Sequence, residues 1–268
     1  MIAQIISLPI SIILFVWMLR IKKNDPFPKG SVFKMLLTGA LCTFGATILT
    51  VVLGLLVTAI RIGPADLAGL LSSPQSEEAT GIAERIRSLS GTPTVFHAFV
   101  SAFLTAAIVE EGLKYLAMRL CLRKPGTVKT RMDAVVCAAI VGLAFQVIED
   151  FTYAGDVGTA LFRAVTPFHF VFGVIMGYYY GKSLVTGAGS DRVKALLIPI
   201  LVHGLYDFSI QCLKVDDVYI IFTLIMMALM LILTVFIIVR IRKWNREGTL
   251  AETIRSQEGV TSQTKDPE

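Results

Sequence analysis

The chain has 268 residues, of which 54% are hydrophobic and only 17% charged. Soluble domains carry about 25% charged residues, so a disordered chain and a soluble nucleic-acid-binding domain are both excluded. The formal net charge of +5 is explained below by the placement of Lys and Arg around membrane spans.

Runs of about 20 apolar residues cross a hydrocarbon core about 30 Å thick. Seven such runs follow one another, at residues 2–19, 35–60, 95–118, 134–153, 166–180, 195–213 and 218–239. The expected fold is an all-α polytopic membrane protein: a bundle of about seven transmembrane helices with a central polar cavity. Residues 1–243 read as a single integral membrane domain with a polar core at 95–213 and an extracytoplasmic loop at 61–94. Residues 244–268 read as a mobile polar cytoplasmic tail. The first run has no basic residue ahead of it and is followed by Arg20, Lys22 and Lys23, the pattern of a retained helix and not of a secretory signal. Within the long loop, residues 77–89 mix charged and apolar side chains as a short surface helix does.

Nineteen Lys and Arg lie in the connections after the first, third and fifth runs and after the seventh. Five lie on the opposite side, and Lys114 sits inside a span. The positive-inside rule then places the N-terminus outside and the C-terminus in the cytoplasm. No nucleic-acid partner is needed to account for the basic balance. The four cysteines, Cys42, Cys121, Cys137 and Cys212, show no metal-site spacing and suggest no disulfide framework.

Charge inside a span is costly and marks a bundle interior or a functional site. The third run holds Glu110, Glu111 and Lys114, the fourth Glu149 and Asp150, the fifth His169, and the sixth His203 and Asp207. Helices one, two and seven carry none in their apolar interiors, so they are expected to support the other four on the lipid side. Lys114 is four residues from Glu110 and three from Glu111, both ion-pair spacings on a helix, and it can neutralise only one carboxylate. The other is then a candidate general base. Glu149 shares a face with Phe145, while Asp150 points about 100° away and reads as an interfacial charge. His203 and Asp207 are four apart, so the carboxylate can fix an imidazole tautomer. His169, His203 and Glu149 together would make a two-histidine, one-carboxylate site for Zn²⁺, or without metal would hold a water. Gly173, Gly177 and Gly181 follow His169 as a stripe that allows close helix approach. No HExxH, GxSG or GxGD protease motif is present.

Four short motifs occur in order: EExxK at Glu110–Lys114, FxxxE at Phe145–Glu149, the His169 segment with GYxxG at Gly177–Gly181, and HGxYDF at His203–Phe208. Together they resemble the PrsW family of intramembrane proteases, within the wider CAAX-protease and bacteriocin-processing superfamily, over about residues 95–210. The resemblance implies hydrolysis of a peptide bond in a membrane-anchored protein or peptide substrate, possible zinc dependence, and a prokaryotic plasma membrane. Family members are associated with site-1 cleavage of anti-sigma factors. The resemblance carries Glu110, Glu111, Glu149, His169, His203 and Asp207 across as catalytic residues, with Lys114 as structural partner. Two other readings remain: a non-catalytic seven-helix scaffold using the same polar cluster, and a proton-coupled transporter, which the absence of an inverted repeat disfavours. Helix geometry sets one condition on a single site. Glu110 lies roughly 22 Å from the outer end of its span, whereas Glu149, His169 and Asp207 fall in the outer halves of theirs.

Overall fold

The computed structural model describes residues 2–62, 94–124, 128–152, 162–163 and 166–263. Among these residues there is no strand. The loop expected at 61–94, with its surface helix, lies almost entirely outside the described residues.

Seven long helices are described: α1 (Ile2–Ile21), α2 (Lys29–Ile62), α3 (Val95–Cys121), α4 (Arg131–Thr152), α5 (Phe168–Thr186), α6 (Gly189–Leu213) and α7 (Ile220–Gln263). They fall on the seven apolar runs. Five of them, α2, α3, α4, α6 and α7, are long and apolar enough to cross a membrane, and Leu8–Ile21 of α1 forms a shorter apolar helix. The tyrosines 178–180, His169 and Lys182 interrupt the apolar run of α5. The fold is that of an all-α polytopic membrane protein. Residues after 244, a polar tail by sequence, continue α7 as helix to Gln263, and no proline interrupts them.

The helices group into two compact units. The first comprises Met1–Cys42, Lys114–Pro199 and Ala228–Glu268, and the second Thr43–Leu113 and Ile200–Met227. In the first unit α4 and α5 form the most extensive helix pair. The glycine stripe explains why: side chains at Gly173 and Gly177 would collide with the Ala138 and Ala134 carbonyls, and a Cβ at Gly181 would lie 2.7 Å from the Arg131 carbonyl oxygen. Without a hydrophobic drive between helices in lipid, such backbone approach is what holds them together. At the end of α5, Gly187 takes φ +72°, the left-handed cap that favours glycine. Asp133 ties α4 to its neighbours. It accepts from the backbone N–H groups of Lys129 and Thr130, at 2.7 Å each, and pairs with Lys22 Nζ at 2.6 Å.

In the second unit, Phe99 stacks on Phe103 at 4.8 Å and meets Phe208 edge-on at 6.2 Å, and Phe208 meets Phe222 at 6.2 Å. Gly204 gives the Phe103 ring the room that any side chain would take. Thr50 donates to the Thr105 carbonyl and Thr223 to the Ser209 carbonyl, both at 2.8 Å. The middle of α3, Val100–Ala107, is π-helical, and the Ile108 N–H reaches back to the Phe103 carbonyl. Such wide turns are rare and cluster at functional sites. This one lies just before Glu110.

Burial differs sharply between helices. In α4, 78% of the apolar stretch is buried, against 22% in α2, α3 and α7. Phe33, Leu41 and Ile48 of α2 and Ile221, Leu224 and Ile232 of α7 are exposed, as lipid-facing side chains are. That α3 is as exposed as α2 departs from the expectation that all four polar helices lie inside. Glu111 and Lys114 are nonetheless buried.

Candidate active site

In the first unit, five charged or titratable side chains form a continuous chain. Gly142 sets its starting point. It has no side chain to obstruct the His169 carbonyl, so the first turn of α5 approaches α4 closely, one helical turn before Gln146 and two before Glu149. His169 Nε2 lies 2.6 Å from Glu149 Oε2, and its Nδ1 lies 2.7 Å from Lys114 Nζ. An ammonium can only donate, so Nδ1 accepts and Nε2 carries the proton that Glu149 receives. Lys114 also sits 4.0 Å above the Phe145 ring, a cation–π contact, and that ring packs against His169 at 4.8 Å. Arg163 closes the chain: its Nη2 lies 2.5 Å from Glu149 Oε2 and its Nε 2.7 Å from Asp150 Oδ1. Lys114, Asp150 and His169 are buried. Two cations face two carboxylates, the balance a buried ionic set requires.

The second unit holds the other histidine. Glu111 is fully buried, and its Oε1 lies 3.0 Å from His203 Nδ1. On the other side of the ring, His203 Nε2 lies 3.2 Å from Asp207 Oδ2. The imidazole is thus held between two carboxylates. Glu110, half-buried, brings a third carboxylate beside it: the ligand atoms of Glu110, Glu111 and His203 lie within 4.8 Å of one another.

The sequence expectations meet these two groups as follows. The His203–Asp207 pair forms as its four-residue spacing suggests. Phe145, Glu149 and His169 come together. Lys114, read as the neutraliser of an adjacent glutamate, hydrogen-bonds His169. Asp150, read as an interfacial charge, is buried on Arg163. Arg163 itself was counted among the charges of a connecting segment. The one signal for it was the adjacent Glu149–Asp150 pair near a helix end, which needs a cation. Glu149, a candidate zinc ligand, gives its Oε2 to His169 and Arg163. His97, the remaining histidine, meets the Thr94 hydroxyl at 2.8 Å.

The second-unit donor set fits a divalent transition metal. It offers one imidazole and two carboxylates, buried except for the half-buried Glu110 and close enough for side-chain movement to bring them around an ion with bonds of about 2.0–2.2 Å. Asp207 stands behind the histidine as the outer acceptor that metal-bound imidazoles commonly use.

Buried carboxylates and histidines on apolar spans, with a donor set suited to zinc, define a membrane-embedded hydrolase. The family model described as PrsW family intramembrane metalloprotease matches residues 28–237. The chain belongs to this family and is a membrane-embedded protease. Among its relatives, Protease PrsW of Oceanobacillus iheyensis is 30% identical over 158 residues, which cover 57% of this chain and 70% of that protein. Protease PrsW of Bacillus subtilis is 34% identical over 124 residues, 43% of this chain and 56% of that protein. Protease PrsW of Clostridioides difficile is 32% identical over 122 residues, 41% of this chain and 51% of that protein. The chain thus spans about half the length of the latter two. No solved structure matches.

Proposed function

We propose that the chain is an endopeptidase that cuts a membrane-anchored protein, with Glu110, Glu111 and His203 as its reaction centre and Asp207 as the orienting group. The observation that carries this reading is the Glu111–His203–Asp207 line, buried at Glu111 and His203, with Glu110 beside it. Glu110, the more exposed carboxylate of the pair, takes the proton of the attacking water, the general-base role. With no metal bound, His203 turns its Nδ1–H from Glu111 toward the oxygen that gains charge as the peptide carbonyl becomes tetrahedral, and so stabilises it, while Asp207 keeps its hold on Nε2. Glu111 and His203, with Glu110 as a further donor, would hold a zinc ion, which would supply Lewis-acid polarisation and a more acidic water. His169, with its tautomer set by Lys114 and Glu149, is the second histidine of the catalytic machinery, as the family resemblance implies.

The finer substrate reading is site-1 cleavage of a membrane-spanning anti-sigma factor, which rests on the resemblance alone. Orientation follows from the basic connections: N-terminus outside, C-terminus in the cytoplasm of a prokaryotic cell.

The test is cleavage of a membrane-anchored reporter in proteoliposomes beside zinc content. Glu111→Gln is expected to abolish cleavage while the protein still folds, and His203→Ala to lose both cleavage and zinc. Full cleavage by both variants would overturn the reading. Loss of zinc in His169→Ala as well would make the two histidines ligands of one ion.

A further inference from the structure

We propose that a cleft in the first unit, at the ends of α1, α2, α3 and α4, binds a phosphate group: that of an anionic phospholipid headgroup, or free phosphate. The cleft measures about 690 Å³, within the range of small-ligand sites. It lies where the apolar span of α2 begins at Lys29 and that of α3 ends at Cys121, which is the depth of lipid headgroups.

Charge decides the ligand class. The two sequence stretches that supply its lining, 20–34 and 119–133, contain ten Lys and Arg and only two acidic residues, Asp25 and Asp133. Both acids line the cleft, and both are already neutralised. Asp133 pairs with Lys22 at 2.6 Å and accepts two backbone N–H groups. Asp25 pairs with Lys129 at 2.7 Å and with Lys22 at 3.3 Å. The surplus falls on Lys34 and Lys124, which also line the cleft and have no carboxylate partner among the described residues. Lys34 gives one N–H to the Leu120 carbonyl at 2.6 Å and keeps two further donors. Lys124 is exposed.

Two lysines thus line one cleft with no carboxylate to pair them among the described residues. Gly30 and Ser31, at the positive end of a 34-residue helix, add a hydroxyl donor and a favourable dipole. Pro26, Phe27 and Pro28 supply an apolar wall suited to the glycerol part of a lipid. Basic pockets between spans on the side richer in Lys and Arg are where anionic headgroups settle.

The full chain is placed in phosphatidylcholine nanodiscs with or without phosphatidylglycerol, and retained lipid is measured by native mass spectrometry. Each lysine near the membrane surface contributes roughly fivefold. Lys34→Gln with Lys124→Gln is therefore expected to lower phosphatidylglycerol retention about 30-fold, while the double arginine variant keeps it. Lys124→Gln alone touches no structural hydrogen bond and is expected to lower it about fivefold, which covers the case in which the Lys34 variant fails to fold. Protection against thermal unfolding by inorganic phosphate, lost in Lys124→Gln and without selective lipid retention, assigns the site to free phosphate. Equal retention of both lipids, or wild-type retention by the glutamine variants with no phosphate effect, overturns the proposal.

Discussion

Gly142 offers a sharp test of how α4 and α5 position the first-unit chain. A methyl group there would lie 2.8 Å from the His169 carbonyl carbon, about 0.6 Å inside ordinary contact. The first turn of α5 must then withdraw by at least that much. The His169–Glu149 hydrogen bond, now 2.6 Å, would stretch to about 3.2 Å, the limit of a useful bond. Overpacking of this kind costs about 1–3 kcal/mol, and misplacing a reacting group by about 1 Å costs up to about a hundredfold in rate. Gly142→Ala is therefore expected to lower the unfolding temperature and reduce reporter cleavage at least tenfold. Gly112→Ala is the matched control. It sits on α3 beside Glu111, nothing lies within 4 Å of its added Cβ, and alanine in a helix interior is worth about 0.5–1 kcal/mol over glycine. Thermal unfolding in detergent and reporter cleavage are measured on both. If Gly142→Ala unfolds and cleaves like Gly112→Ala, the close approach is not what positions His169.

Arg163→Ala leaves two buried carboxylates without their cation and is expected to cost about 3–5 kcal/mol. Pairing it with Glu149→Gln and Asp150→Asn restores much of that in a thermal-unfolding series; no recovery would refute the pairing as the cause. Asp207→Asn keeps the shape of the side chain but weakens the hold on His203, with an expected loss of about 10–100-fold in zinc affinity or cleavage, measured by zinc titration and reporter assay. Outside the spans, the Lys129 ammonium hydrogen-bonded to Asp25 holds its carboxyl below the usual 3.8. A lowered folded-state pKa stabilises above 3.8 and is lost as pH falls further. Because the pair is exposed, Asp25→Asn should change stability little at neutral pH and should flatten the unfolding-temperature profile below about pH 4.

The helices were legible because each needed only a long apolar run, and in α5 the glycine spacing marked a face for close approach without naming the helix that meets it. His203 and Asp207 were legible because their contact follows from four residues of one helix. What the sequence withheld were contacts between helices. Nothing in the spacing of EExxK says that Lys114 will meet an imidazole 55 residues later. Arg163 looks like any connecting-segment cation until Glu149 and Asp150, which point about 100° apart, are seen to share its planar fork. The wide turn at Val100–Ala107 has no signature either, since the residues there suit an ordinary helix equally well.

That wide turn bears on how the glutamate pair is aimed. A helix closed by i→i+5 bonds takes up one more residue per turn than one closed by i→i+4, so whatever follows is rotated about the axis relative to a regular helix. The facing of Glu110 and Glu111 is therefore written upstream, in a stretch with no charged residue. If that stretch closed as a regular helix with no residue lost, both carboxylates would swing by about 100°, whereas a single deletion within 100–107 would relax one wide turn to a regular one and keep their facing. The active carboxylates of α3 thus behave like the hand of a dial whose setting screw lies several residues away.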